Sequence, residues 1–174
     1  MRQVLFCFLF SISNTFSQSV ENFEPTNFIG TEISLSYRTR ELFHGISFTQ
    51  IFKKSAVSLG LNLGVKSTYS QGSLFPQLQF KYAYLPIIKK DLKTQNTLLF
   101  GPQIQLKSGI QRVSRLHSYS DLLIGYGFYF GRKWQFTHSF GFGPYLEFFK
   151  NENRQIYSLS SINYCITFGL NYAL

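Results

Sequence analysis

The sequence predicts an all-β fold: an eight-stranded antiparallel transmembrane β-barrel with up-and-down meander order. Three observations predict it. Segments of ten or more residues alternate between large apolar and small or polar types, and side chains alternate faces along a strand. Aromatic residues make up 18% of the chain, with 20 Phe and 11 Tyr, while charged residues are 14%; a soluble domain carries about 25%. The final segment sets Tyr164, Ile166, Phe168, Leu170, Tyr172 and Leu174 on one parity against Cys165, Thr167, Gly169, Asn171 and Ala173 on the other. A closing strand with an apolar outer face and a small, polar inner face suits a barrel in a membrane.

Residues 1–17 read as a signal peptide. Arg2 gives the positive start, and Val4 to Phe10 with Ile12 form an apolar run too short to span a bilayer. Thr15 and Ser17 place small residues before a cleavage site at Gln18. Residues 18–27 read as a polar periplasmic leader, and 28–174 as one barrel domain. Cys7 leaves with the signal, so Cys165 has no intrachain partner and faces inward as a small filler.

Eight segments follow in order. The first, about Phe28 to Arg38, opposes Ile33, Leu35 and Tyr37 to Glu32, Ser34 and Ser36. After a tight connection at Thr39–Leu42, the second runs from Phe43 to Phe52, with Ile46 and Phe48 against Gly45, Ser47 and Thr49. A short turn at Lys53–Ser55 leads to the third, Ala56 to Lys66, where Val57, Leu59, Leu61 and Leu63 oppose Ser58, Gly60, Asn62 and Gly64. The fourth, Leu74 to Leu85, sets Leu78, Phe80 and Tyr82 against Gln77, Gln79 and Lys81. Pro86 to Asn96 reads as a basic turn.

The fifth segment, Thr97 to Lys107, has Leu98, Phe100, Ile104 and Leu106 against Gly101, Gln103, Gln105 and Lys107. Ser108 to Ser118 reads as the longest loop. The sixth, Tyr119 to Gly131, and the seventh, Trp134 to Phe148, flank a tight turn at Arg132–Lys133. The eighth runs from Gln155 to the end, after a polar loop at Lys150–Arg154. These lengths cross a bilayer at a tilt of about 45°. After residue 17 no apolar run reaches the roughly 18 residues a spanning helix needs, so helical spans are excluded.

Period two alone also fits a soluble barrel with an apolar interior. Bulk decides between them. About five large side chains from each strand would overfill so narrow an interior. The opposite face is Gly, Ser, Thr, Asn and Gln, without the mixed Lys and Glu of a water-facing surface. The apolar face therefore turns to lipid. The lumen is expected to hold Glu32, Gln77, Gln79, Lys81, Gln103, Gln105, Gln135 and Asn163 as a polar plug, with Glu32 and Lys81 able to pair. Arg38, Arg40, Arg112, Arg115 and Arg154 fall on the outer rim with Lys107, and Lys53, Lys54, Lys89, Lys90, Arg132 and Lys133 on the inner turns. Tyr37, Tyr84, Trp134 and Tyr172 lie where aromatic girdles form.

Thr167, Gly169, Tyr172 and Leu174 resemble the carboxy-terminal insertion signal of outer-membrane barrels: a polar residue, Gly two on, then apolar residues three and five after it. The usual last residue is Phe, and Leu174 departs from it. The chain after the signal resembles small eight-stranded barrels of the OmpA-transmembrane-domain and OmpX kind. That resemblance implies insertion by the outer-membrane assembly machinery of a Gram-negative cell.

No catalytic constellation stands out. His138 and Ser139 are adjacent, so they point to opposite faces of their strand. His44, His117 and His138 form no metal-ligand spacing. The expected role is structural or surface-interaction. Lipopolysaccharide phosphates suit the arginine rim, and an adhesion or receptor surface is the sharper version. No cofactor or metal is expected, and the chain is expected to be monomeric. Nucleic acid is excluded because the net charge of +9 is split between two ends. The alternatives are a lipid-A-modifying hydrolase or acyltransferase using His117 and nearby serines, and a small solute pore.

Overall fold

The computed structural model describes residues 26–37, 41–66, 74–90, 95–112, 116–150 and 156–174. The expected signal peptide and most of the leader lie outside them. The described residues form nine strands: β1 (Thr26–Ser36), β2 (Glu41–Phe52), β3 (Ser55–Lys66), β4 (Leu74–Tyr84), β5 (Ile87–Lys90), β6 (Thr97–Arg112), β7 (Leu116–Gly131), β8 (Trp134–Lys150) and β9 (Ile156–Ala173). All neighbours are antiparallel in a meander, and β1 pairs with β9 to close the cylinder.

The nine strands make eight staves, because β4 and β5 are one stave with a kink. Both pair with β6, through Ala83↔Gln103 and Ile87↔Phe100. An unbroken register would set Ile87 opposite Leu99, so one extra residue is inserted at Leu85–Pro86 as a bulge. Pro86 has no N–H to give to a ladder, while the Leu85 N–H donates to the Lys54 carbonyl at 2.7 Å. The bulge leans over Gly101, where an added Cβ would collide with the Tyr84 carbonyl. The expected basic turn from Pro86 is therefore corrected: strand pairing resumes through Lys90.

The expected long loop at Ser108–Ser118 is also replaced by strand. β6 and β7 stay in register up to Arg112↔Leu116. Its Ser and Gly residues had suggested a loop, but they keep the alternation. Ser108 and Ile110 face out, while Gly109 packs inward where an added Cβ would strike the Tyr119 ring. Other ends move by a few residues: β1 begins at Thr26, β2 at Glu41, and β8 reaches Lys150.

The wall has unequal height. β1 to β4 hold 11 or 12 residues each, and β6 to β9 hold 16 to 18. The register of β9 with β1 ends at Ser36↔Cys165, whereas its register with β8 continues to Lys150↔Ile156. Residues 156–160 are exposed on both faces, so this part of the β8–β9 hairpin stands above the closed barrel.

The outer face is a band of exposed apolar side chains, among them Ile33, Ile46, Leu61, Leu78, Ile124 and Phe168. Ile46 is 59% exposed, while Glu32, on an inward position nearby, is 4% exposed. Aromatic pairs mark the two ends of the band. Trp134 meets Tyr172 edge-on at 4.9 Å, with Lys133 Nζ 5.5 Å from the Tyr172 ring. Tyr37 meets Tyr164 edge-on at 6.3 Å.

Candidate functional site

The lumen collects the polar chemistry of the chain, in three layers. At the end holding the short turns, Phe28, Ile51, Ala56, Ala83, Leu85, Leu99 and Tyr129 form a buried apolar cluster. At the other end, Phe43, Tyr119 and Tyr145 form an aromatic one, with the two tyrosine rings stacked at 5.9 Å. The polar plug expected from the sequence thus lies between two apolar layers. These residues share the inward parity, but each layer draws on several strands near their ends, so no single segment displays it as a cluster.

The middle layer is polar and ionic. Lys81 Nζ donates to both carboxylate oxygens of Glu32, at 2.8 and 2.7 Å. Gln79 Nε2 donates to the same carboxylate at 2.8 Å. The Asn62 amide bridges Gln77 and Gln79 at 3.1 and 3.3 Å, and Gln77 Nε2 reaches Tyr119 Oη at 3.0 Å. A continuous chain thus runs from the ion pair to the aromatic layer. The register explains why the carboxylate fits. Both cross-strand neighbours of Glu32 are glycine, Gly45 and Gly169, and an added Cβ on Gly169 would lie 3.3 Å from Glu32 Cγ.

A second group joins β1, β7 and β9. Ser36 Oγ donates to Asn163 Oδ1 at 3.1 Å, and Asn163 Nδ2 donates to Asp121 at 2.9 Å. Gln105 Nε2 donates to Ser139 Oγ at 3.1 Å, and Tyr129 Oη to Gln103 Oε1 at 3.3 Å. Gln135 is buried nearer the turn end. The free volume beside Glu32, Lys81 and Tyr129 is about 10 Å³, room for one water at most.

Lys107 is a correction. Its charge suggested the rim, yet it is 1% exposed and its ammonium reaches across the lumen to Ser34 and Cys165. Continuing strand pairing beyond it buries the residue. Asp121, buried and opposite Lys107 in the register, was also missed. Its inward parity with Tyr119 and Leu123 was the available signal.

Of the rim arginines, Arg38, Arg40, Arg115 and Arg154 lie outside the described residues, and Arg112 ends β6. His117 sits in β7 opposite Phe149, rather than in a loop. His138 is on the outer face, stacked on Phe168 at 4.7 Å. Its Nδ1 lies 3.2 Å from the Thr167 carbonyl, so Nδ1–H must donate there. Its Nε2 is hydrogen-bonded to Tyr126 Oη at 3.2 Å. Both ring nitrogens are thus engaged, and Ser139 points into the lumen. Thr167 and Gly169 are buried on the inner face of β9, Tyr172 is half-buried, and Leu174 is exposed. Among the described residues no group of three or more His, Cys, Asp or Glu could hold a metal.

At the turn end a mouth of about 940 Å³ is lined by Lys90, Arg132, Lys133, Gln135 and Tyr172. Three of these side chains are cationic. Phe28 and Leu99, members of the apolar layer, form its floor.

No family model matches the chain, and no curated protein matches it. Among solved structures it is similar to a major outer membrane protein from Thermus thermophilus, with 9% identity and a TM-score of 0.40. That match covers 87% of this chain and 100% of the other. It is also similar to neisserial surface protein A (NspA), with 6% identity and a TM-score of 0.43, covering 85% of this chain and 94% of the other.

Proposed function

We propose that this barrel is seated in an outer membrane and acts as a structural and surface-interaction protein with a plugged lumen. One observation carries the reading: the side-chain polarity is inverted relative to a soluble barrel. An apolar band faces out, and an ion pair with its amide network is buried within. In water such a surface would far exceed the apolar patch a monomer tolerates. In lipid it is the matching surface, and closure leaves no unsatisfied sheet edge in the hydrocarbon.

The surface role rests on the tall side of the wall. Ile156, Leu159 and Ile162 on β9 and Phe148 on β8 are exposed on the hairpin that stands above the β1 edge. This offers an apolar ribbon to a partner beyond the bilayer. Arg38, Arg40, Arg112, Arg115 and Arg154 fall on the same side in chain order and suit lipopolysaccharide phosphates. Insertion by the assembly machinery, read from Thr167, Gly169, Tyr172 and Leu174, belongs to the same proposal.

Membrane fractionation with heat-modifiable gel migration tests the seating. A protein extracted only by detergent, migrating faster when unheated, supports it; a protein in the soluble fraction overturns it. Replacing the five arginines by Gln together tests the lipid contact, read as loss of co-purifying lipopolysaccharide.

A further inference from the structure

We propose that Lys107 and Cys165 form a covalent, reducible Nζ–O–Sγ bridge that staples opposite walls of the lumen. Three observations point to this modification site. Lys107 Nζ lies 2.7 Å from Cys165 Sγ. That separation is ordinary for nitrogen and oxygen but short for nitrogen and the larger sulfur. Two single bonds meeting at one oxygen at a near-tetrahedral angle span such a distance. Both residues are 1% exposed, so the pair is held together by the packed interior and shielded from competing thiols.

The third observation is the company the ammonium keeps. Among the described residues its other partner is Ser34 Oγ at 3.4 Å. Glu32 is taken by Lys81. Asp121 is opposite Lys107 in the register, but its Oδ2 accepts from Asn163 and its Oδ1 has no partner. A buried ammonium without a carboxylate in contact is costly. The Cys165 sulfur is the group in closest contact with it, and a cysteine sulfur is oxidisable. Linkage removes the ammonium charge.

The step balances with dioxygen as oxidant. An ammonium, a thiolate and one O₂ give the N–O–S bridge and one water. Two N–H bonds and the O–O bond break; one N–O and one O–S bond form. Sulfur and nitrogen give up two electrons each, and dioxygen takes all four. One oxygen atom stays in the bridge, and the other leaves as water with the two protons from nitrogen. This rests on the outer-membrane seating proposed above, which supplies the oxidising conditions the step needs.

The bridge would join β6 to β9, which lie three staves apart around the barrel. It would thus hold the cylinder across its width as no ladder hydrogen bond does. Full-length protein purified in detergent under air, without reductant, tests the proposal. The expected intact mass exceeds that of the reduced chain by one oxygen less two hydrogen atoms. Trypsin should fail to cut after Lys107, and the peptides carrying Lys107 and Cys165 should emerge joined and separate on treatment with dithiothreitol. Lys107→Arg and Cys165→Ser should each abolish the joined species, and protein made without air should lack it. Unchanged mass, with Cys165 fully alkylated in denaturant before any reduction, would overturn the bridge. Sulfinic acid or an intermolecular disulfide in its place would overturn it equally.

Discussion

Glu32 and Lys81 meet in the middle of the lumen as a fully enclosed ion pair, with both carboxylate oxygens within 2.8 Å of the ammonium. Each group justifies the burial of the other. Glu32→Gln leaves a charged lysine, and Lys81→Met leaves a charged carboxylate. Each single change should cost about 3–5 kcal/mol, and Glu32→Gln with Lys81→Met together should cost much less than their sum. Urea titration of the folded, fast-migrating form in detergent micelles measures all three. Additive losses would mean that the pair contributes nothing as a pair.

The outward band makes a depth-dependent prediction. Ile33 lies on β1 between the Tyr37 end and the turn end, and its side chain is about half exposed. Ile156 shares the outward parity of β9 and is exposed, but stands at the upper end of the β8–β9 hairpin. Ile33→Arg should destabilise insertion into vesicles by about 2–4 kcal/mol, and Ile156→Arg by less than about 1 kcal/mol. Folding yield into phosphatidylcholine vesicles, read by gel mobility, checks the contrast. Equal effects at the two sites would contradict a bilayer around Ile33.

Much of this architecture was legible because a strand shows its two faces in every other residue. Val57 to Leu63 against Ser58 to Gly64 needed only the period of two, and bulk then decided which face met lipid. The sequence was less informative wherever one face no longer meets hydrocarbon. Toward the upper ends of β6 and β7 serines enter the outward face, so Ser108, Ser118 and Ser120 resemble loop residues although they sit in paired strands. The same change hid the burial of Lys107. The bulge at Leu85–Pro86 was obscured differently, since a proline usually marks an end and here marks only a shift of register. The aromatic layer of Phe43, Tyr119 and Tyr145 draws on three strands, and alignment across the lumen is not written in any one of them.

His138 and Tyr126 supply a test on the lipid face. The tyrosine hydroxyl is hydrogen-bonded to Nε2, and the ring Nδ1–H donates to the Thr167 carbonyl. Tyr126→Phe removes the hydroxyl and leaves an imidazole nitrogen without a partner where water is scarce. The cost should be about 1–2 kcal/mol. His138→Phe in the Tyr126→Phe background should recover most of it, because two apolar rings then replace the broken pair. Urea titration of the four proteins forms a complete cycle.

The apolar layer at the turn end predicts the electrical behaviour of the barrel. Tyr129 is 4% exposed and packs with Leu85 and Leu99 beneath the Glu32–Lys81 pair, and the neighbouring free volume holds no more than one water. An ion moving through would have to shed its water, displace Tyr129 and pass an ion pair already satisfied internally. The wild-type barrel in a planar bilayer should therefore show no steady current. Tyr129→Ala removes a ring of the seal while leaving the polar layer in place, so intermittent small conductances should appear. Adding Leu99→Ala should lengthen them, because Leu99 is the next side chain of the same layer. A steady current through the unaltered protein would mean that the layer does not seal. Silence in both variants would move the barrier to the Glu32–Lys81 layer.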